Sequence, residues 1–343
     1  MADTPSGSLW FDSLLPKAIE LGLSDLTLEP RVDGGLKAVI RHDGMREVID
    51  ECSPEDSQTA VARCKVLAGL PTYIHDEAQD GRMNGQAFGI VGECRVSVLP
   101  TVDGERVAIR LPALGELPEP DNLGLSKSVV SAMRHSLNYP DGLVVVCGPA
   151  GSGKSTTIYS FCRELAQKRT DRAILTLEDP VERRLVDVNQ VEITGGKLDF
   201  AAALRASLRQ DADIIVVGEI RDRDTGTAAV RAALSGHLVI CTVHSPSAAE
   251  AVPRLIEMGV EADLLLPALR LVLAQQLLRR PQAGRTPVCD LIVVDGAIRD
   301  AWRNKQVVPL NESMNLEAAK LLKAGETTGE EINRVLGHNK IAD

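Results

Sequence analysis

The stretch GLVVVCGPAGSGKS, Gly142 to Ser155, constrains this chain more than any other. A continuous apolar run of strand length leads into glycines at 148, 151 and 153. Beyond them Ile158, Phe161 and Leu165 recur at helical spacing. A strand, a glycine-rich turn and an amphipathic helix are the context that the pattern G-x-x-x-x-G-K-[ST] requires. The glycines let the backbone curl so that its N–H groups face a phosphate. Lys154 is expected to reach the β- and γ-phosphates of ATP, and Ser155 to ligate Mg2+. The nucleotide-binding set is thus Gly148, Pro149, Ala150, Gly151, Ser152, Gly153, Lys154, Ser155 and Thr156.

Three further runs, AILTLED, DIIVVGE and HLVICTV, are also apolar without alternation, and helical stretches separate them. Such strands are buried on both faces, which means a parallel sheet covered by helices. The expected fold class is therefore α/β, with a P-loop ATPase domain over residues 123–246. Strands of an open parallel sheet deliver ligands at their carboxyl ends, the edge that also carries the phosphate loop. DIIVVGEIRD places Glu219 at that edge, and LTLEDPVE places Glu178, Asp179 and Glu182 there. Glu219 is the expected carboxylate to orient or activate water, and Glu178 is the second candidate. HLVICTV is flanked by His237 and His244. At about 3.3 Å per residue a strand holds them about 23 Å apart, and their odd spacing sends them to opposite faces. They cannot share a metal ion. His244 falls beside the phosphates, placed to sense the γ-phosphate or to bond Glu219. His237 falls at the far end, where a hydrogen-bonding role at the start of the strand and a functional role both stand open.

Upstream, residues 10–112 mix the two periodicities. LPKAIELGL has helical spacing, and LKAVIRHDG reads as a strand ending in a turn. Ser53 followed by Pro54 starts a helix well, because serine can cap it and proline suits the first turn. Ala60, Cys64 and Leu67 give that helix an apolar face. ECRVSVLPTVDGERVAIRL reads as two strands around a turn at Asp103 and Gly104. Residues 1–112 are therefore expected to form a small α+β domain. PALGELPEPDNLG breaks both periodicities and marks a linker, 113–122. From 247 to 343 the pattern turns mainly helical, ending in a helix opened by a capping box of Thr328 and Glu331.

Charge narrows the function classes. With 38 Lys and Arg against 48 Asp and Glu, the net charge is −10. A general nucleic-acid or anionic-membrane binder is disfavoured, since a phosphate backbone demands clustered cations. No apolar run reaches the roughly 18 residues that span a bilayer. The start, MADTPSGSLWFDSLL, lacks a basic leader region, so no signal peptide is expected and any membrane link is expected to run through a partner. Seven cysteines are scattered without a CxxC pair, which reads as small core residues of a reducing cytoplasm. Aromatics are only 3%, so the core has to be built from Leu, Val, Ile and Ala.

Taken together, these boxes resemble a known family, the secretion and type IV pilus assembly ATPases, also called the type II/IV secretion ATPases. The resemblance covers about residues 20 to 337. It rests on the phosphate loop GPAGSGKSTT, the aspartate box LEDPVE, the Walker B region LRASLRQDADIIVVGEIRD and the histidine box SGHLVICTVHS. Upstream, SDLTLEP, RHDG, QDGR, RVSVLPTVDGERVAIRL and NLGL add to it. Four ordered boxes are far more specific than the phosphate loop alone. The resemblance implies a RecA-like ATPase domain preceded by a PAS-like α+β domain. It implies a hexameric ring, with ATP bound between the two domains and driving their rotation. Such a ring stands at the cytoplasmic base of a membrane machine that extends or withdraws a pilin fibre. The implied partners are copies of the chain and a membrane platform protein, with no nucleic acid. The family's second histidine lies near the nucleotide, in agreement with the strand argument for His244. Arg95 in CRVS and Arg110 in AIRL match arginines that meet the γ-phosphate when the clamp closes. Arg205, Arg209 and Arg221 match the family's Walker B arginines. Arg205 and Arg209, four apart on one helix face, are candidates for ring interfaces rather than chemistry.

Some positions depart from the family. Its secretion and extension branches usually carry a tetracysteine zinc site between LAQQLLRR and GRTPVCDLIVVD. Here PQA stands in its place with only Cys289 near, so no zinc is expected. Thr27 in SDLTLEP stands where His is common. The chain is short and is expected to lack the extra amino-terminal docking domain of larger members. The tail ESMNLEAAKLLKAGETTGEEINRVLG leans toward the secretion and assembly branch. The expected function is an ATP-hydrolysing motor of a type II secretion or type IV pilus-like assembly system, cytoplasmic and recruited to the inner face of the membrane. A pilus retraction ATPase is the alternative. Two other classes stand beside it. A nucleotide-dependent structural hub would bind ATP with almost no phosphate release. A nucleic-acid motor would be stimulated by DNA or RNA.

Overall fold

The computed structural model describes residues 6–21, 23–42, 45–89, 92–112, 115–193, 198–282 and 284–337. Asp43 and Gly44 of RHDG, Ala113 and Leu114 of the expected linker, and Ala283 of PQA lie outside them. The chain divides into two units, Met1–Glu116 and Leu117–Asp343.

The first unit runs α1 (Ser6–Glu20), β1 (Asp25–Pro30), β2 (Leu36–His42), β3 (Met45–Cys52), α2 (Pro54–Leu67), β4 (Gln79–Asn84), β5 (Glu93–Thr101) and β6 (Gly104–Arg110). Its strands form one antiparallel sheet in the order β3-β2-β1-β6-β5-β4. Alternation sends Leu26, Leu28, Val96, Val98, Val107 and Ile109 into a core shared with Phe11, Leu14 and Leu15 of α1 and Ala60 and Cys64 of α2. The expected cap of α2 is present, the Ser53 hydroxyl accepting from the Asp56 N–H at 3.3 Å. The other face of the sheet keeps its polar side chains. Of the expected linker, Leu117 and Pro120 are buried, and the Ser160 hydroxyl donates to the Pro118 carbonyl at 2.6 Å. Residues 117–122 therefore pack as part of the second unit.

The second unit begins with a short turn of 3-10 helix, Pro120–Asn122, and α3 (Lys127–Leu137). Then come β7 (Gly142–Cys147), α4 (Lys154–Lys168), β8 (Ile174–Glu178), β9 (Asn189–Glu192), α5 (Phe200–Ser207), β10 (Ile214–Val217), α6 (Arg223–Leu234) and β11 (Leu238–Val243). The remainder is α7 (Ala248–Glu257), α8 (Ala262–Ala268), β12 (Leu269–Arg279), β13 (Arg285–Val293), α9 (Gly296–Arg303), α10 (Met314–Lys323) and α11 (Gly329–Leu336). The sheet order is β13-β12-β7-β11-β10-β8-β9, parallel except for β13. Successive residues of β7 go to opposite sides. Leu143 and Val145 join the core under α6, α7 and α8, while Val144 and Val146 join the core under α3 and α4. That double burial is why the strands read as unalternating runs.

Two expectations hold only in part. The region from 247 to 343, besides its helices, contains β12 and β13, and β12 pairs directly with β7. The sheet of the ATPase unit thus continues past residue 246. LRLVLAQQLLR is apolar at seven of its eleven positions without two-residue alternation, and periodicity alone does not separate a buried strand from a buried helix. The capping box of α11 is only half made. Thr328 accepts from the Glu331 N–H at 3.2 Å, but the Glu331 carboxylate is drawn to Arg279 and Arg334. All seven cysteines are free and buried, as core residues should be.

Candidate active site

β7 ends at Cys147 and α4 begins at Lys154, so the phosphate loop occupies the carboxyl edge of a central strand. Gly148, Gly151 and Gly153 have φ of +146, +74 and +88°, a region that side chains with a Cβ rarely adopt. A Cβ at Gly148 would overlap the Gln275 carbonyl and stand 2.7 Å from the Ser152 hydroxyl. Ser152 Oγ is buried with no hydrogen-bond partner among the described residues. Lys154 Nζ donates to the Gly148 and Pro149 carbonyls, each at 2.8 Å. Burial pushes the Lys154 pKa down, and the nearby Glu219 and Glu182 carboxylates pull it the other way. Pro149, Ala150, Gly151 and Thr156 are exposed. Left-handed glycines, a buried hydroxyl with no partner among the described residues and an ammonium held among them by two carbonyls are chemically suited to a polyphosphate. Half-buried Ser155, at the second position of α4, offers the hard oxygen donor that Mg2+ takes.

Glu219 follows β10 at the same edge. The residues on either side of it are pinned: Gly218 N–H donates to the Leu177 carbonyl at 2.8 Å, and Ile220 N–H to the Thr242 carbonyl at 2.9 Å. The Thr242 hydroxyl donates to the Gly218 carbonyl. Because Thr242 lies two residues before His244, these bonds bring the end of β11 against Glu219. His244 Nε2 is 3.0 Å from Glu219 Oε1, and Arg221 Nε donates to Glu219 Oε2 at 2.8 Å. Arg221 also lies 3.9 Å from Asp179. Of the two placements the strand argument offered for His244, the bond to Glu219 is the one seen.

Glu178 stands in a different cluster. At 6% exposure, it accepts from the Tyr159 and Thr176 hydroxyls and from Gln190 Nε2 at 3.1 Å. Tyr159 in turn accepts from the Glu182 N–H at 3.2 Å. Burial first, and then the Glu178 charge, push the Tyr159 pKa up. As found, Glu178 braces α4 against β8. His237 precedes β11, its Nδ1 3.3 Å from both the Ala232 carbonyl and the Ser235 hydroxyl, at the opposite end of the strand from His244.

The shared helix face expected of Arg205 and Arg209 is not kept. α5 ends at Ser207, and Arg209 lies in the following turn, its N–H donating to the Ala206 carbonyl at 3.1 Å. A helix of only eight residues has too little length to carry the pattern further. In the first unit, Arg95 faces Arg110 across the β5–β6 ladder and Arg82 across the β4–β5 ladder. They line a groove of about 480 Å³ on the polar face of that sheet, together with Asp25 and Asp80. Arg110 Nε donates to Asp25 at 3.0 Å.

One residue of the site escapes the motif reading. Gln275 of β12 is 3% exposed and reaches the phosphate loop, its Nε2 donating to the Ser152 carbonyl at 2.8 Å. The signal available in the sequence is an amide inside an apolar run, because a buried polar group demands partners.

Comparison with known proteins gives the family. The family described as Type II/IV secretion system protein matches residues 4–329. The type II secretion system protein HxcR of Pseudomonas aeruginosa is 35% identical over 98% of this chain and 79% of its own. The type IV pilus assembly ATPase PilB of Thermus thermophilus is 37% identical over 81% of this chain, which spans only 31% of that protein. Among solved structures, the pilus retraction motor PilT with bound ADP has a TM-score of 0.71 at 29% identity, covering 97% of both chains. No helix among the described residues is long and apolar enough to cross a membrane. With a family match over nearly its whole length and a relative 35% identical to it over 98% of this chain, the chain belongs to the Type II/IV secretion system protein family and is an ATPase.

Proposed function

We propose that this chain is the motor of a type II secretion or type IV pilus-like assembly system, turning ATP hydrolysis into domain rotation in a hexameric ring. In this reading the second unit is RecA-like and the first PAS-like, and the ring works in the cytoplasm against a membrane platform protein. The observation that carries it is Glu219 held between His244 and Arg221 at the sheet edge that also bears Lys154. Glu219 positions the attacking water and takes its proton, and His244 fixes the carboxylate's orientation. Lys154 leaves the loop carbonyls for the β- and γ-phosphates. Mg2+ on Ser155 would supply charge neutralisation at those phosphates. Arg95 and Arg110 are the first unit's ligands for the γ-phosphate, and its release frees them and lets that unit swing. In Glu219→Gln, ATP binding should persist while phosphate release falls by at least about 100-fold. Turnover near the wild-type rate in that variant would remove Glu219 from the mechanism.

A retraction motor is the second reading. The observation favouring it is likeness to the retraction motor PilT over 97% of both chains at 29% identity. A host lacking the gene separates the two. Loss of surface fibres supports assembly, and excess unretracted fibres support retraction.

A further inference from the structure

Gln275 sits on β12, more than a hundred residues beyond the phosphate loop, yet three parts of that loop and its helix are built against it. Its side-chain Nε2 donates to the Ser152 carbonyl at 2.8 Å, and its Oε1 accepts from the Thr157 hydroxyl at 2.8 Å. The second bond fixes the first. With the oxygen committed to Thr157, the amide can only present its NH2 to Ser152. Gln275 is 3% exposed and Thr157 1% exposed, so water does not compete for either bond.

The Ser152 carbonyl belongs to the peptide plane that also holds the Gly153 N–H. In a trans peptide those two groups point in opposite directions. Anchoring the carbonyl on Gln275 therefore turns the Gly153 N–H away from β12, toward the inside of the loop. The same glutamine sets the size of two neighbours. A Cβ at Gly153 would stand 2.7 Å from Gln275 Nε2, and one at Gly148 would overlap the Gln275 carbonyl. Both glycines answer to close packing on Gln275 as well as to their left-handed φ.

We infer that Gln275 is a positioning residue for nucleotide binding, which aims the Gly153 N–H at the bound phosphates by holding the Ser152 peptide, with Thr157 fixing its amide. The inference rests on the ATP-binding reading of this loop. It also gives β12 and β13 a part in the site, since they tie the loop to the last strands of the sheet.

The test is a titration of the full-length chain with a fluorescent ADP analogue, well below each variant's melting midpoint. Gln275→Met keeps the volume and loses both bonds, and its dissociation constant should rise about tenfold, as expected when one charge-directed N–H is lost. Thr157→Val loses only the bond that orients the amide, and should give a smaller rise, about threefold. Because Thr157 acts through Gln275, the double variant should bind no worse than Gln275→Met alone. A merely structural glutamine would lower melting temperature without this affinity loss or this non-additivity. Wild-type binding with Gln275→Met within about twofold of it overturns the inference alone. If Gln275→Met does not fold, Thr157→Val decides, and unchanged affinity there overturns the inference. A wild-type chain that binds no analogue overturns the ATP-binding reading and the inference with it.

Discussion

A carboxylate that orients water needs an oxygen whose direction is fixed but which is not buried under its own partners. Glu219 meets that description and Glu178 does not. Glu219 has one oxygen toward His244 and the other toward Arg221, whereas Glu178 is enclosed by Tyr159, Thr176 and Gln190. Removing the imidazole leaves Glu219 bonded through Arg221 alone, free to rotate about that contact. In His244→Ala, kcat should fall about tenfold to a hundredfold while KM for ATP stays within about twofold, because orientation of the base matters only in the transition state. Phosphate release at saturating ATP reads the first quantity, and its dependence on ATP concentration the second. An unchanged kcat would reduce His244 to a surface contact. The separation of His237 from His244 was legible in the sequence, because strand rise and alternation are fixed by backbone geometry. The bond to Glu219 was legible only as one of two options. Choosing between them depends on how the turn after β10 is tied to Thr242, and that pairing leaves no pattern in the sequence.

At the scale of elements, the amino-terminal hairpin β5–β6 and the central strands β7, β8, β10 and β11 were readable because their patterns are unambiguous. The hairpin alternates around a turn, and the central strands are apolar throughout and short. β12 was not readable. Its eleven residues are long enough for a helix, and buried Gln275 and Gln276 break the apolar run without imposing a period. The carboxyl end of β12 is tied to α11 through Glu331. This carboxylate is 2% exposed, accepts from the Arg279 N–H at 3.0 Å, and takes both guanidiniums of Arg279 and Arg334. Burial raises its pKa, but the hydrogen bonds from Arg334 and Arg279 outweigh burial and hold it at about 2, below the ordinary 4.5. A depressed folded pKa means stability that is fully present above the unfolded value and lost as pH falls through the folded one. Glu331→Gln should therefore destabilise the chain by about 2 kcal/mol near neutral pH, a figure kept low because both arginines are partly in water. The loss should shrink as pH falls from 4.5 toward about 2. Urea unfolding at several pH values checks this, and a penalty independent of pH would mean that the charge of Glu331 has no part in it.

On the scale of the whole molecule, the two units offer complementary chemistry. The second carries the phosphate loop and the carboxylate, and the first carries arginines on the polar face of its sheet. Arg82, Arg95 and Arg110 stand side by side across neighbouring strands. Like charges directly opposite one another in a sheet are destabilising, so this row costs the first unit stability that a bound anion would offset. Their local partners are weak holds. The Arg110 pair with Asp25 is well exposed, and such pairs contribute about 0–1 kcal/mol, so the guanidinium can change partner at small cost. A row of arginines on the open face of a sheet suits an anion that appears and disappears in a cycle, such as a γ-phosphate. Arg95→Gln and Arg110→Gln should each lower kcat for ATP about tenfold to a hundredfold. Affinity for ADP, which has no γ-phosphate, should change by less than about threefold. Thermal stability should stay level or rise slightly, because each change removes a like charge from the row. Phosphate release, a fluorescent ADP titration and a melting curve on the full-length chain give the three readouts together. Equal losses of ADP affinity and turnover would place these arginines in general nucleotide binding. Unchanged turnover would leave them as solvated charges with no part in meeting the γ-phosphate.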